Sequence, residues 1–333
     1  MAMRKVLFLL LITQLLGVVG FSQVLPPRSA PLFSVAATNF DIIWNVPKHS
    51  WPKKVWVYQV IPSKIFTSTV VSNLISIGQF TSNNYQRKDY GEMGFRLNGP
   101  DRQMAILPMT GEIMYHRPVD MNIKHLATNV PTSNELIPLT EKILSEIGIN
   151  VSEITTRKNG HVNIAYDTND IGQIYFLKGG TTVTNIHYRI VAFRRTIDGI
   201  NVWGAGGVSQ IKYGENGTVI DLMLDWRGLE PKKQINTVDS KQVIQWLKDG
   251  HCDYPRWIYP PYQDKIDIDW TKVKHLTVTD ADPEYWTDMF DEHRLPLKSL
   301  VFPYLVLKVI VDTGMTNLET EIVSPLIQDM KVK

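Results

Sequence analysis

The sequence predicts an α+β protein, antiparallel sheets with a few packed helices, and three features carry that expectation. Residues 184–226 alternate apolar with polar side chains between glycine-bearing turns. The block Lys54 to Val60 is β-branched and aromatic and ends before Pro62. Three other stretches repeat apolar residues at helical spacing and stop at glycine: 68–77, 132–147 and 240–249. A period of two puts successive side chains on opposite faces of a strand, whereas a period near 3.6 draws one stripe along a helix.

The chain opens with Arg4 and Lys5, an apolar run from Val6 to Ile12, a polar break at Thr13 and Gln14, and a second apolar stretch from Leu15 to Phe21. A basic start before an apolar run of this length predicts a secretory signal peptide over residues 1–23, cleaved near Ser22. A spanning helix needs roughly 20 apolar residues, which this interrupted run does not supply. The longest later candidate, Leu300 to Val311, is broken by Pro303 and Lys308. The expectation is a secreted protein, extracellular or periplasmic, with no integral membrane segment after signal cleavage; an anchor that stays attached is the alternative.

About 310 residues then remain, enough for two domains on the usual size prior. The boundaries expected are 24–126, a small α+β domain with an extended N-terminal lead-in, and 127–333, a second α+β domain with C-terminal strands. A single cysteine, Cys252, excludes an intramolecular disulfide framework. Lys plus Arg number 35 against 33 Asp plus Glu, and no basic run stands out, so nothing points to nucleic acid. The triplets starting at Asn150 and Asn216 match the N-glycosylation pattern and are read as chance occurrences.

Along the chain, residues 24–52 read as a Pro- and Ser-rich lead-in with a short strand at 32–36. The strand at 54–60 is followed by a short helix over 68–77, with Ser68 as its cap and Gly78 as its stop. Strands follow at 94–97, 102–108 and 112–115. Thr132-Ser133-Asn134-Glu135 is a capping box opening a helix whose stripe is Leu136, Leu139, Ile143, Leu144 and Ile147, ended by Gly148. A long strand over 184–197 turns at Asp198-Gly199, since glycine supplies the positive φ of a tight hairpin, and returns over 200–203. Gly204 to Gly207 break or bulge the ladder, 208–213 continues it, and a turn ending at Gly217 leads into 218–226. There Ile220, Leu222, Leu224 and Trp226 share the buried face, with Asp221 and Asp225 on the wet one. A helix at 240–249, capped by Asp239 or Ser240, precedes strands at 273–279, 299–311 and 320–323.

The hairpin block, Phe193 to Gly204 followed by Val208 to Tyr213 and Gly214-Glu215-Asn216-Gly217-Thr218-Val219, resembles the FTP and PepSY propeptide modules. Those modules carry a strand, an Asp-Gly-Ile-Pro-Val-x-Gly hairpin, a further strand and an Asp-x-Asn-Gly-Lys-Val turn. The resemblance spans about residues 132–226, with the helix upstream of the hairpin as in the modules. Asn201 stands where their proline is usual. The modules precede secreted thermolysin-type metalloproteases as inhibitor and folding chaperone, and PepSY also occurs alone in exported proteins. No His-Glu-x-x-His follows here, so the resemblance implies protein binding or protease regulation rather than proteolysis. Only the turn glycines Gly199 and Gly217 carry over, as structural positions.

No catalytic set, cofactor motif or metal motif emerges from the residues. His251-Cys252-Asp253 are adjacent, whereas working nucleophile and base pairs come from distant segments, so Cys252 reads as a spare thiol. The glycine cluster at 204–207 sits between strands rather than opening a helix, so it reads as a bulge and not a phosphate cradle. Asp264, Asp267 and Asp269, and then Asp280, Asp282 and Glu284, concentrate carboxylates without the glycine and glutamate of a calcium loop, and read as solvated edges or caps. Trp257, Tyr259 and Tyr262, in a proline-bounded aromatic stretch, are candidate contacts for a protein or glycan partner; the alternative is that they lie down on the sheet. Arg194 and Arg195 are the other candidate binding residues, lining a polar sheet face or pairing, like Arg227, with Asp221 and Asp225. The expected function is an exported, non-enzymatic binding or regulatory protein; a secreted hydrolase acting on polysaccharide or peptide is the second reading.

Overall fold

The computed structural model describes residues 40–47, 51–81, 83–117, 129–154, 157–159, 162–164, 166–176, 182–203, 208–252, 268, 270–286 and 297–328. The signal segment, the strand expected at 32–36, Gly204 to Gly207, the aromatic stretch with Trp257, Tyr259 and Tyr262, and Asp264, Asp267 and Asp269 lie outside these residues.

The first half of the chain supplies β1 (Asp41–Trp44), β2 (Lys54–Ile61), α1 (Ser68–Ile77), β3 (Gln86–Asp89), β4 (Phe95–Asn98), β5 (Gln103–Leu107), β6 (Glu112–His116) and α2 (Ser133–Glu146). Next come β7 (Arg157–Asn159), β8 (Val162–Ile164), β9 (Tyr166–Phe176), β10 (Thr182–Arg194), β11 (Thr196–Ile197), β12 (Ile200–Trp203), β13 (Val208–Tyr213) and β14 (Val219–Asp225). The rest is β15 (Gly228–Asn236), α3 (Ser240–Lys248), β16 (His275–Trp286), β17 (Leu300–Val301), β18 (Pro303–Asp312) and β19 (Asn317–Pro325). The fold is α+β, with mostly antiparallel sheets.

The helices form where their caps and stripes require. Glu135 accepts hydrogen bonds from both the backbone N–H and the hydroxyl of Thr132, at 2.7 Å each, and closes the first turn of α2. Gly148, at φ +78, ends it by passing the Ile149 N–H back to the Leu144 carbonyl. In α1 the cap is Thr67, one residue before the expected Ser68, and the left-handed residue that reverses the chain is Gln79 rather than Gly78.

One sheet has eight strands in the order β3-β4-β5-β6-β14-β13-β10-β9, every neighbouring pair antiparallel. On one face it buries Leu97, Ile106, Ile113, Val191, Ile211 and Leu222 against Val70 and Leu74 of α1 and Leu136, Ile143 and Leu144 of α2. A second core lies between a six-stranded sheet, β11-β12-β16-β18-β19 with β1 also on β16, and a three-stranded sheet, β15-β2-β17. Val57, Val60, Val278, Leu305, Leu307 and Val309 fill it, and Val243 and Leu247 of α3 close it. Both β1 and β12 run parallel to β16, at its two ends.

Two expectations change. The ladder runs across the expected boundary at 126/127, because β6 pairs with β14 and β2 pairs with β15. Local turn signals identify strands but not their distant partners. Asp225 is not on a wet face: it is 5 % exposed, and its charge lies near the buried Arg195. The strand β15 was unread, since Glu230-Pro231-Lys232-Lys233 has a loop composition; its proline sits on an edge strand beside a register shift, where a missing N–H is tolerated.

The chain passes between the two cores at Ile61 to Ser63, Arg194 to Thr196 and Trp226 to Gly228, and again between Trp203 and Val208; the first three of these passages touch. The Ser63 hydroxyl donates to the Trp226 carbonyl at 2.8 Å. Arg195 donates Nη1–H to the Arg227 carbonyl at 2.6 Å and Nε–H to Glu153 at 3.0 Å, with its guanidinium 4.7 Å from the centre of the Trp226 ring. Gly228 admits the close approach: a Cβ there would lie 2.4 Å from the Pro62 carbonyl oxygen.

Beyond the Arg195 passage, Asp198 and Gly199 take φ of +52 and +75 between the antiparallel partners Ile197 and Ile200. Both central residues therefore lie left-handed, as a primed two-residue turn requires. A Cβ on Gly199 meets nothing within 4 Å, so the effect of substitution is purely backbone strain. Gly199→Val should lower stability by about 1–3 kcal/mol, because a β-branched side chain disfavours this region. Thermal unfolding at the parent's midpoint would show that the turn does not hold this geometry.

Candidate binding surface

The outer face of the six-stranded sheet is set by the alternation of β16. Ala281 and Tyr285 point into the core, 2 % and 0 % exposed, so Asp280, Asp282 and Glu284 point outward. A register shift between Val278 and Asp280 puts the first carboxylate opposite Lys308 of β18, whose Nζ–H donates to it at 2.9 Å. Lys308 in turn lies opposite Glu321 of β19, and Glu319 shares that face two residues earlier. Glu284 lies opposite Tyr304 on one side and Asn201 of β12 on the other. Arg194, the last residue of β10, brings a guanidinium to Glu284 and Glu321.

Burial pushes the Glu284 carboxyl up to about 7, the negative charges of Glu321 and Asp282 add to the rise, and Arg194 and a hydrogen bond from Asn201 oppose it. Glu321 is raised too, by burial first, with Lys308 and Arg194 opposing. The Lys308 ammonium is raised chiefly by its bond to Asp280. This is a sheet face that holds excess carboxylate close together, one member keeping its proton near neutrality. Such a face favours an incoming cation, which relieves the repulsion among the acids.

The adjacent arginines part company. Arg194 joins this face. Arg195, expected to line a polar sheet face or to pair with Asp221 and Asp225, is 8 % exposed and sits at the passages between the cores, where burial lowers its pKa and Glu153, Tyr58 and Asp225 oppose that. Asp221 pairs instead with His116 at 3.0 Å and Lys212 at 3.6 Å. Gly199 and Gly217 lie at turns with positive φ. Cys252 is fully buried. Glu319, Glu321 and Lys308 were not singled out from the sequence. Their alternation was visible, but the pairing of β16, β18 and β19 that gathers them was not.

Among the described residues, no three His, Cys, Asp or Glu side chains group so as to hold a metal ion, and no helix is long and apolar enough to cross a membrane. No protein family matches the chain, and no curated protein is similar to it in sequence.

Because the folded value of Glu284 lies above the unfolded one, near 4.3, folding takes up a proton between about 4 and about 7. Its stabilising contribution is full below the unfolded value and is lost as pH rises through about 7. Glu284→Gln, which mimics the protonated carboxyl, should leave the melting temperature nearly unchanged at pH 4 and raise it at pH 8. An equal change at both pH values would mean that Glu284 ionises as an ordinary surface carboxylate.

Proposed function

We propose that the chain is an exported, non-enzymatic binding or regulatory protein that engages a basic protein partner on the outer face of the six-stranded sheet. The observation that carries this reading is the charge of that face: Asp280, Asp282, Glu284, Glu319 and Glu321 outnumber Lys308 and Arg194, on strands backed by a packed core. A sheet so backed presents its side chains without an ordering cost on binding. The basic, then apolar, first residues support export, and the likeness of the hairpin block to PepSY and FTP modules supports a partner that is a protein.

Peptides with Lys or Arg at alternate positions are the probe. The parent should bind them with an affinity that falls steeply as salt shortens the Debye length below about 10 Å. Changing the exposed Asp282 and Glu319 together to Lys should weaken binding by at least about tenfold. Undiminished binding by that variant would place recognition elsewhere. Turnover of a polysaccharide or peptide that Glu284→Gln abolishes would instead make the chain a secreted hydrolase, its raised carboxyl serving as the acid beside ionised neighbours.

A further inference from the structure

The eight-stranded sheet packs α1 and α2 on one face, and its other face is open at its centre. There, where β6 meets β14, Met114 and Met223 lie directly opposite one another, 47 % and 49 % exposed. Single exposed methionines are ordinary. This pair, however, marks the middle of an eight-strand order, with four strands to either side. The registers join Lys88, Arg96, Ala105, Met114, Met223, Gln210, Ala192 and Asp167 into one row across the whole sheet. Cations stand at one end of this row and a carboxylate at the other. Ala105, the apolar pair, Gln210 and Ala192 lie between them.

We infer that this face is the interface of a two-fold dimer, with a second copy of the chain packed sheet against sheet. Charge selects the arrangement. An axis along the strands lays β3 of one copy over β9 of the other, so Lys88 faces Asp167, Met114 faces Met223 and His116 faces Asp221. An axis across the strands would lay Lys88 on Lys88 and Arg96 on Arg96 instead. The first arrangement is self-complementary, as an isologous contact must be. Asp167 points to this face because its neighbours on β9 point the other way: Tyr166 stacks on Phe193 in the core, and the Thr168 hydroxyl meets Ser133 of α2. The buried Asp225 bounds the face where β14 leaves for the second core.

The size is adequate. Eight strands spaced about 4.8 Å apart, paired over four to five residues at about 3.4 Å each, cover roughly 500–650 Å² per copy, at the lower end for a specific interface. Two twisted sheets can stack at such a face about 10 Å apart with their strands nearly aligned. Methionine suits the seam, since its flexible thioether fits an irregular gap.

Sedimentation velocity of the full chain over about a hundredfold concentration range tests this, since a dimer forms by mass action. The parent should show a monomer–dimer equilibrium, and Met223→Arg should weaken it by at least about tenfold. Lys88→Asp should weaken it too, and Lys88→Asp with Asp167→Lys should restore it, a rescue that misfolding cannot produce. A monomer at every concentration, a dimer indifferent to Met223→Arg, or a charge reversal without rescue would each overturn the proposal.

Discussion

A buried guanidinium at the meeting of three chain passages is the constraint on which the two cores depend. Taking a cation out of water costs several kcal/mol unless it is paired and hydrogen-bonded. Arg195 meets that demand with partners from separate parts of the chain: the Glu153 carboxylate after α2, the Arg227 carbonyl and the Trp226 ring between β14 and β15. Its own carbonyl accepts from the Val202 N–H of β12. Satisfying one charge therefore seats the link between the eight-stranded sheet and the hairpin that starts the six-stranded one. Ser63 and Gly228 bring the remaining passages within contact, one by a buried hydrogen bond and the other by having no side chain.

The surfaces follow from that seating. Because Arg195 turns inward, its neighbour Arg194 turns outward, and β10 delivers it to the carboxylates of β16 and β19. The acidic face thus owes one of its two cations to the other unit. Each sheet leaves its outer face to side chains of alternating strands, and those faces differ in chemistry. One concentrates carboxylates around Lys308, and the other places methionines between charged ends.

Much of the local structure was legible because it is written in neighbours. The Thr132–Glu135 box, the Asp198-Gly199 turn and the stripe of α2 are short-range signals, and each element stands where they put it. What a sequence does not display is partnership. Asp280, Asp282 and Glu284 could be seen alternating, but a bulge at residue 279, the pairing with Lys308 and the arrival of Arg194 from β10 decide what they form. The same holds for Arg195: its charge suggested a polar sheet face or a pairing with Asp221 and Asp225, and only the meeting of segments far apart in sequence brings Glu153 and the Arg227 carbonyl to it. β15 escaped because its Pro and Lys residues reflect an edge position, which is a property of the sheet and not of the segment.

If Arg195 joins the cores as argued, the chain unfolds as one unit, and calorimetry reads this directly. The parent should melt in a single transition whose calorimetric and van't Hoff enthalpies agree. Arg195→Ala, which leaves the Arg227 carbonyl without its donor and uncovers the Trp226 ring, should split that transition into two at separate temperatures. Two transitions in the parent, or one unshifted transition in the variant, would contradict the coupling.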